Sequence, residues 1–152
     1  LLTKHEILPL AKKLLAKIEF NALHHSTSDA EDVGQDIDAD HEQIKNGAGY
    51  DHCFVLNKKE EGELSFAARI KEPVSGRTME VYTTEPGVQV YSDNWADGYK
   101  GQNGATFPRR SAICFEAQHF PDSPNHPYFP SVVLNPGEQY TQKTVYKFGV
   151  EK

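Results

Sequence analysis

Glu116 lies inside an apolar run, RSAICFEAQ (110–118), just before the proline-broken stretch HFPDSPNHP. Carboxylates mostly occupy loops or exposed faces, so an acid here needs a partner or a task. Alternation along a strand puts 112, 114, 116 and 118 on one face and 113, 115 and 117 on the other. Glu116 and Gln118 therefore point away from Ile113 and Phe115. A carboxylate is ionised at neutral pH and suits a general base. The alternative is an exposed or arginine-paired Glu, with Arg109 and Arg110 the nearest candidates.

Two further polar residues sit in comparable places. Asp51, in GYDHCFVL (49–56), stands between a glycine-bounded loop and an apolar strand. It can accept hydrogen bonds from a hydroxyl-rich ligand, or cap a turn through its own backbone. Gln89, in GVQVYSDN (87–94), points away from the Val88/Val90 face, toward solvent or a cleft. Its amide offers both donor and acceptor to sugar hydroxyls. Tyr91 and Trp95 follow closely, and sugars stack on such rings, although packing is the default role of a lone Trp.

Other patterns carry less. DIDADH (36–41) has acids at alternate positions, but a calcium loop needs Gly sixth and Glu twelfth, where this chain has His41 and Gly47. It reads as a solvated acidic turn. Seven histidines are present. His24 and His25 are adjacent, and His41, His52, His119 and His126 fit no C/H ligand spacing, so no metal is expected. GYKGQNGA (98–105) lacks the dinucleotide-binding spacing and the helix that must follow it, and reads as a turn-rich loop.

The elements that must position these residues read as β from about residue 50 onward. HCFVL (52–56), ELSFAARI (63–70), RTMEVYTTE (77–85), GVQVYSDN, RSAICFEAQ, SVVL (131–134) and TVYKFGV (144–150) are short apolar or alternating runs. In ELSFAARI the expected face is Leu64, Phe66, Ala68 and Ile70; in TVYKFGV it is Thr144, Tyr146, Phe148 and Val150. VSG, EPG, NGA and NPGE punctuate them with turn chemistry. Period-two alternation without helix-length interruptions predicts an all-β antiparallel β-sandwich. The opening differs. LPLAKKLLAKIEF (8–20) has helical spacing at Leu10, Leu14 and Ile18, so a short amphipathic helix or an irregular segment against the sheet is expected. HHSTSDAED (24–32) reads as loop.

The 152 residues suit one domain spanning 1–152, with a divergent segment over 1–32. A net charge of −6 argues against nucleic-acid binding. No apolar run approaches the ~20 residues of a membrane span, and no secretory pattern opens the chain. Cys53 and Cys114, far apart in apolar runs, read as two buried thiols in a reducing compartment. With no N-x-[ST] site, these features point to the cytoplasm.

Taken in order, VGQDIDADHEQ, GYDHCFVL, TTEPGVQVYSDNWADG, NGATFPRRSAICFEAQHFPDSPNHP and FPSVVLNPGEQYTQKTVYKF resemble the aldose 1-epimerase (galactose mutarotase) family, specifically its C-terminal half. The resemblance covers residues 33–152. It implies a mutarotase-type antiparallel β-sandwich with a sugar site on a curved sheet. It also implies interconversion of the α and β anomers of free hexoses such as galactose and glucose, without cofactor. By motif, Glu116 corresponds to the catalytic base, and Asp51 and Gln89 to residues that hydrogen-bond the sugar. The family's acid histidine lies in an N-H-x-Y-F-N-L-like motif that this chain does not contain, and family members are considerably longer. The alternative is a non-catalytic sugar-binding or structural module. Half a sandwich exposes sheet edges, so association with an N-terminal half on another chain, or with itself, is expected.

Overall fold

A computed structural model describes residues 17–20 and 31–151. The strands are β1 (Lys17–Phe20), β2 (Glu31–Asp32), β3 (Asp51–Val55), β4 (Ser65–Lys71) and β5 (Arg77–Thr83). They continue with β6 (Gly87–Tyr91), β7 (Tyr99–Lys100), β8 (Thr106–Phe107), β9 (Cys114–Gln118) and β10 (Thr144–Val150). Two short helices, α1 (Val33–Asp36) and α2 (Glu42–Gly47), precede β3.

Every described pairing is antiparallel, as short alternating runs joined by tight turns require. One sheet has five strands in the order β10-β5-β4-β1-β2; another has three, β3-β6-β9; β7 and β8 form a separate pair. The turn glycines do their expected work. Gly76 of VSG and Gly137 of NPGE adopt φ of 71° and 91°, open to glycine at little cost.

The core lies between the two larger sheets. Ala68, Ile70, Met79 and Val81 from one pack with Val88, Val90 and Phe115 from the other, joined by Val33, Leu56 and Ile113. Burying each large apolar side chain contributes roughly 1.5–3 kcal/mol. The Tyr146 hydroxyl on β10 crosses the sandwich to donate to the Phe115 carbonyl at 3.0 Å. Alternation holds as expected in β5, β6 and β9.

Four expectations change. A register shift between Phe66 and Ala68 sends Phe66 to the outer face, edge-on to Tyr82 at 5.6 Å, while Ala67 and Ala68 are both fully buried. Such an extra residue is a β-bulge, which simple alternation cannot foresee; Leu64 falls outside the strand and is exposed. Lys17–Phe20, the described part of the expected amphipathic helix, is a strand, because Ile18 pairs with Ile70 across β4; its remainder, and His24–His25, lie outside the described residues. SVVL is exposed and irregular rather than a strand. In β10, Tyr146 and Phe148 align with Val81 and Met79 of the core face as expected, but Phe148 remains exposed.

Candidate functional site

The three-stranded sheet decides which side chains meet. Cys53 pairs with Gln89 and Gln89 with Glu116; Asp51 pairs with Tyr91 and Tyr91 with Cys114. Cross-strand partners share a face. Asp51, Cys53, Gln89, Tyr91, Cys114, Glu116 and Gln118 therefore share the face opposite the Val88/Val90/Phe115 core. A valine either side of Gln89, and Ile113 and Phe115 before Glu116, fix that orientation: a one-residue slip would place charges in the core.

The geometry at the centre is specific. Gln89 Nε2 donates to Asp51 Oδ1 at 2.7 Å. That bond fixes the amide orientation, since a carboxylate only accepts. The opposite atom, Gln89 Oε1, is buried and has no hydrogen-bond partner. Leaving a buried acceptor unmade costs about 1–3 kcal/mol, and nothing in the fold requires it. Glu116, directly across from Gln89, is exposed. Arg109 and Arg110, the nearest candidates for pairing with it, are engaged elsewhere.

Both arginines donate to the Ala48 carbonyl, and Arg110 also forks onto Asp38 at 2.6 and 2.8 Å. The pair acts on the loop that delivers Asp51. Helix α2 is capped at its start by His41, whose Nδ1 accepts from the Gln43 N–H at 3.2 Å, and at its end by Ala48 with φ 54°. A left-handed residue at that point usually calls for glycine. The two guanidiniums on its carbonyl, at the negative end of the helix, offset the cost. The acids of DIDADH are exposed, as expected of a solvated turn, and the neighbouring arginine holds the Asp38 carboxyl below its ordinary range.

A second clamp reaches the same loop from β6. Asn94 Nδ2 donates to the Gly47 and Tyr50 carbonyls, both at 2.8 Å. The Ser92 hydroxyl accepts from the Tyr50 N–H at 3.0 Å and donates to Asn94 Oδ1 at 2.6 Å. The Arg110 N–H donates to the Asp93 carbonyl at 2.8 Å, and the Ser111 hydroxyl to Asp93 Oδ2 at 3.0 Å. Ser92, Asp93, Asn94 and Ser111 are all buried. Buried polar groups so fully paired specify one loop conformation. Gly49 is essential there: with φ 142°, a Cβ would sit 2.3 Å from Asn94 Oδ1. Sequence reading missed these residues; the only signal was a run of short polar residues, SDN, at the exit of an apolar strand.

The periphery of the face is mixed. The Trp95 side chain is exposed rather than packed, at 63%, and its backbone N–H donates to the Tyr91 hydroxyl at 3.3 Å. Burial pushes the Tyr91 phenol up from its ordinary value. Cys53 and Cys114 are free thiols, half-buried on this open face rather than in the core. Burial raises the Cys53 thiol, which accepts weakly from Gln118 Nε2 at 4.0 Å. The sheet thus gathers two carboxylates, an amide with an unspent acceptor, and aromatic rings. That set suits a ligand rich in hydroxyls and C–H faces.

The family model described as Aldose 1-epimerase matches residues 2–147. Galactose mutarotase from Mus musculus is 52% identical over 103 residues, 67% of this chain and 30% of that protein. Galactose mutarotase from Homo sapiens is 50% identical over the same shares. Aldose 1-epimerase from Escherichia coli is 35% identical over 116 residues, 75% of this chain and 32% of that protein. This chain thus spans under a third of the curated relatives it matches. A crystal structure of a GalM/aldose epimerase homologue from C. elegans superposes with a TM-score of 0.74 at 22% identity, over 92% of this chain and 47% of that one. Galactose 1-epimerase from Lactobacillus acidophilus gives 0.66 at 20% identity, over 92% and 45%. The antiparallel sandwich is the aldose epimerase fold, and the chain belongs to the aldose 1-epimerase family.

Proposed function

We propose that this chain supplies the base and two sugar contacts of an aldose 1-epimerase acting on free hexoses such as galactose and glucose. The observation that carries the reading is the orphaned Gln89 Oε1, set between Asp51 and Glu116. A sugar hydroxyl donating to that oxygen satisfies it. The same sugar then accepts from no side chain at Asp51, which receives hydroxyl protons instead. Glu116 takes the proton from the anomeric hydroxyl, electrons return through C1, and the C1–O5 bond opens as a second group protonates O5. Rotation about C1–C2 and reclosure give the other anomer. Histidine suits that second group. The partner carrying it is another part of the protein or another chain, and the setting is a reducing, cytoplasmic one.

A second reading, a sugar-binding module without catalysis, is favoured by one observation. Among the described residues of the three-stranded sheet, the only histidine, His52, lies in register with Val90 on the other face. Calorimetry with galactose and glucose, paired with polarimetry, separates the two. Binding with accelerated mutarotation supports the enzyme; binding without acceleration supports the module. Absence of binding by a protein with intact Asp51 and Gln89 overturns both.

A further inference from the structure

Away from that face, the turn before β6 and the loop after β9 border an open groove of about 500 Å³. Its volume lies within the ~300–1,000 Å³ typical of small-molecule sites. Asp51, Gln89 and Glu116 contribute nothing to its lining. At its base is Glu85, whose side chain is 3% exposed. Glu85 Oε2 accepts from His119 Nδ1 at 2.7 Å, and Oε1 accepts from the Tyr140 hydroxyl at 2.5 Å. Both carboxylate oxygens are spent, so Glu85 orients its two partners rather than meeting a ligand itself. Because a carboxylate only accepts, Nδ1 carries the proton, and Nε2 is the ring atom left to meet a ligand. The hydrogen bond to Glu85 also pushes the Tyr140 phenol up to about 12, so its proton stays in place.

Tyr140 is 58% exposed although its hydroxyl is anchored. Its ring is a fixed aromatic platform on the groove wall, set edge-on to the His119 ring with centroids 6.5 Å apart. Gln139 and Thr141 flank it in the lining. The Lys58 ammonium, by contrast, is already occupied by the Glu63 and Thr83 carbonyls. Around the Tyr140 ring the lining offers the Gln139 amide, the Thr141 hydroxyl and His119 Nε2, while the opposite charges of Glu61 and Lys143 offset each other, which suits a polyhydroxylated ligand better than an anion.

We propose that this groove is a second carbohydrate-binding site, distinct from the Gln89 face. A sugar's C–H face stacks on the Tyr140 ring, one hydroxyl hydrogen-bonds His119 Nε2, and the Gln139 amide and Thr141 hydroxyl take others. The site is independent of the reading given to Gln89 and survives if that reading fails.

The test is an NMR titration of the protein with methyl β-galactoside and methyl β-glucoside, following the His119 ring and the Gln139 side-chain amide. Saturable shifts are expected with a dissociation constant on the order of 1 mM, ordinary for a single sugar in an open groove. Tyr140→Ala, which removes the platform, weakens them at least ~10-fold, whereas Tyr140→Phe, which keeps it, weakens them less. Gln89→Leu leaves them unchanged. Gln139→Ala, on an exposed residue, provides a variant free of folding effects and weakens binding measurably. Absence of saturable shifts, or shifts that vanish with Gln89→Leu, overturns the proposal.

Discussion

Replacing Gln89 with Met separates a ligand-binding role from a structural one. Met keeps the length and volume of Gln and removes both polar atoms. Two terms change in the empty site. The bond to Asp51 is lost; hydrogen bonds to charged groups contribute about 1.5–3 kcal/mol, but Asp51 is exposed and water replaces much of it. The buried, unpartnered Oε1 also disappears, and relieving such an acceptor returns about 1–3 kcal/mol. The terms offset, so Gln89→Met should be neutral within ~1 kcal/mol or slightly stabilising. Sugar affinity should instead fall by ~10–100-fold, the loss of one to two directed hydrogen bonds at 1.4 kcal/mol per tenfold. Urea unfolding gives the first quantity from the midpoint at constant slope, and calorimetry with galactose the second. Destabilisation beyond ~2 kcal/mol with unchanged affinity would make Gln89 a structural strut and not a ligand contact. A residue that costs stability when empty and gains it when bound is the mark of a site.

Gly49→Ala should destabilise the chain by more than 2 kcal/mol, since its Cβ meets Asn94 Oδ1 at 2.3 Å in a left-handed backbone; thermal unfolding checks it, and sugar binding should fall as Asp51 moves. Arg110→Lys should loosen the α2–β3 loop, seen as faster amide exchange at residues 48–51, because an ammonium cannot reproduce the fork onto Asp38. The depressed Asp38 carboxyl contributes stability that is present above its unfolded value near 3.8 and is lost as pH falls below it; Arg110→Ala should flatten that part of the acid limb in chemical denaturation. Tyr140, raised to about 12, contributes stability present below pH ~10 and lost as pH climbs toward 12; ultraviolet titration of phenolate should lose its highest step in Tyr140→Phe.

Much of the site was legible because period-two alternation is a rigid rule in a sheet with one buried face. Ile113 and Phe115 on one side of Glu116, and Val88 and Val90 on either side of Gln89, were enough to place both polar residues on the open face. Phe66 escaped because one bulged residue reverses the phase, and a bulge leaves no compositional mark between two alanines and a serine. Ile18 escaped because spacing over thirteen residues outvoted what the neighbouring strand would do with four of them. The Arg110–Asp38 fork and the Asn94 clamp join positions 72 and 47 residues apart, separations that local patterns do not encode. Glu85 was visible only as one letter of a turn, EPG, yet it is a buried acid with two ring partners on distant segments.

One paired measurement decides whether Glu116 is a base on a sugar-binding face. Polarimetry with freshly dissolved α-galactose is run on wild-type and Glu116→Gln protein, each with any polypeptide that co-purifies, after calorimetry has matched their sugar affinities. Wild type should accelerate mutarotation, and Glu116→Gln, binding galactose as well, should do so at least ~100-fold less, the usual worth of a positioned base. Undiminished acceleration by Glu116→Gln would contradict that role.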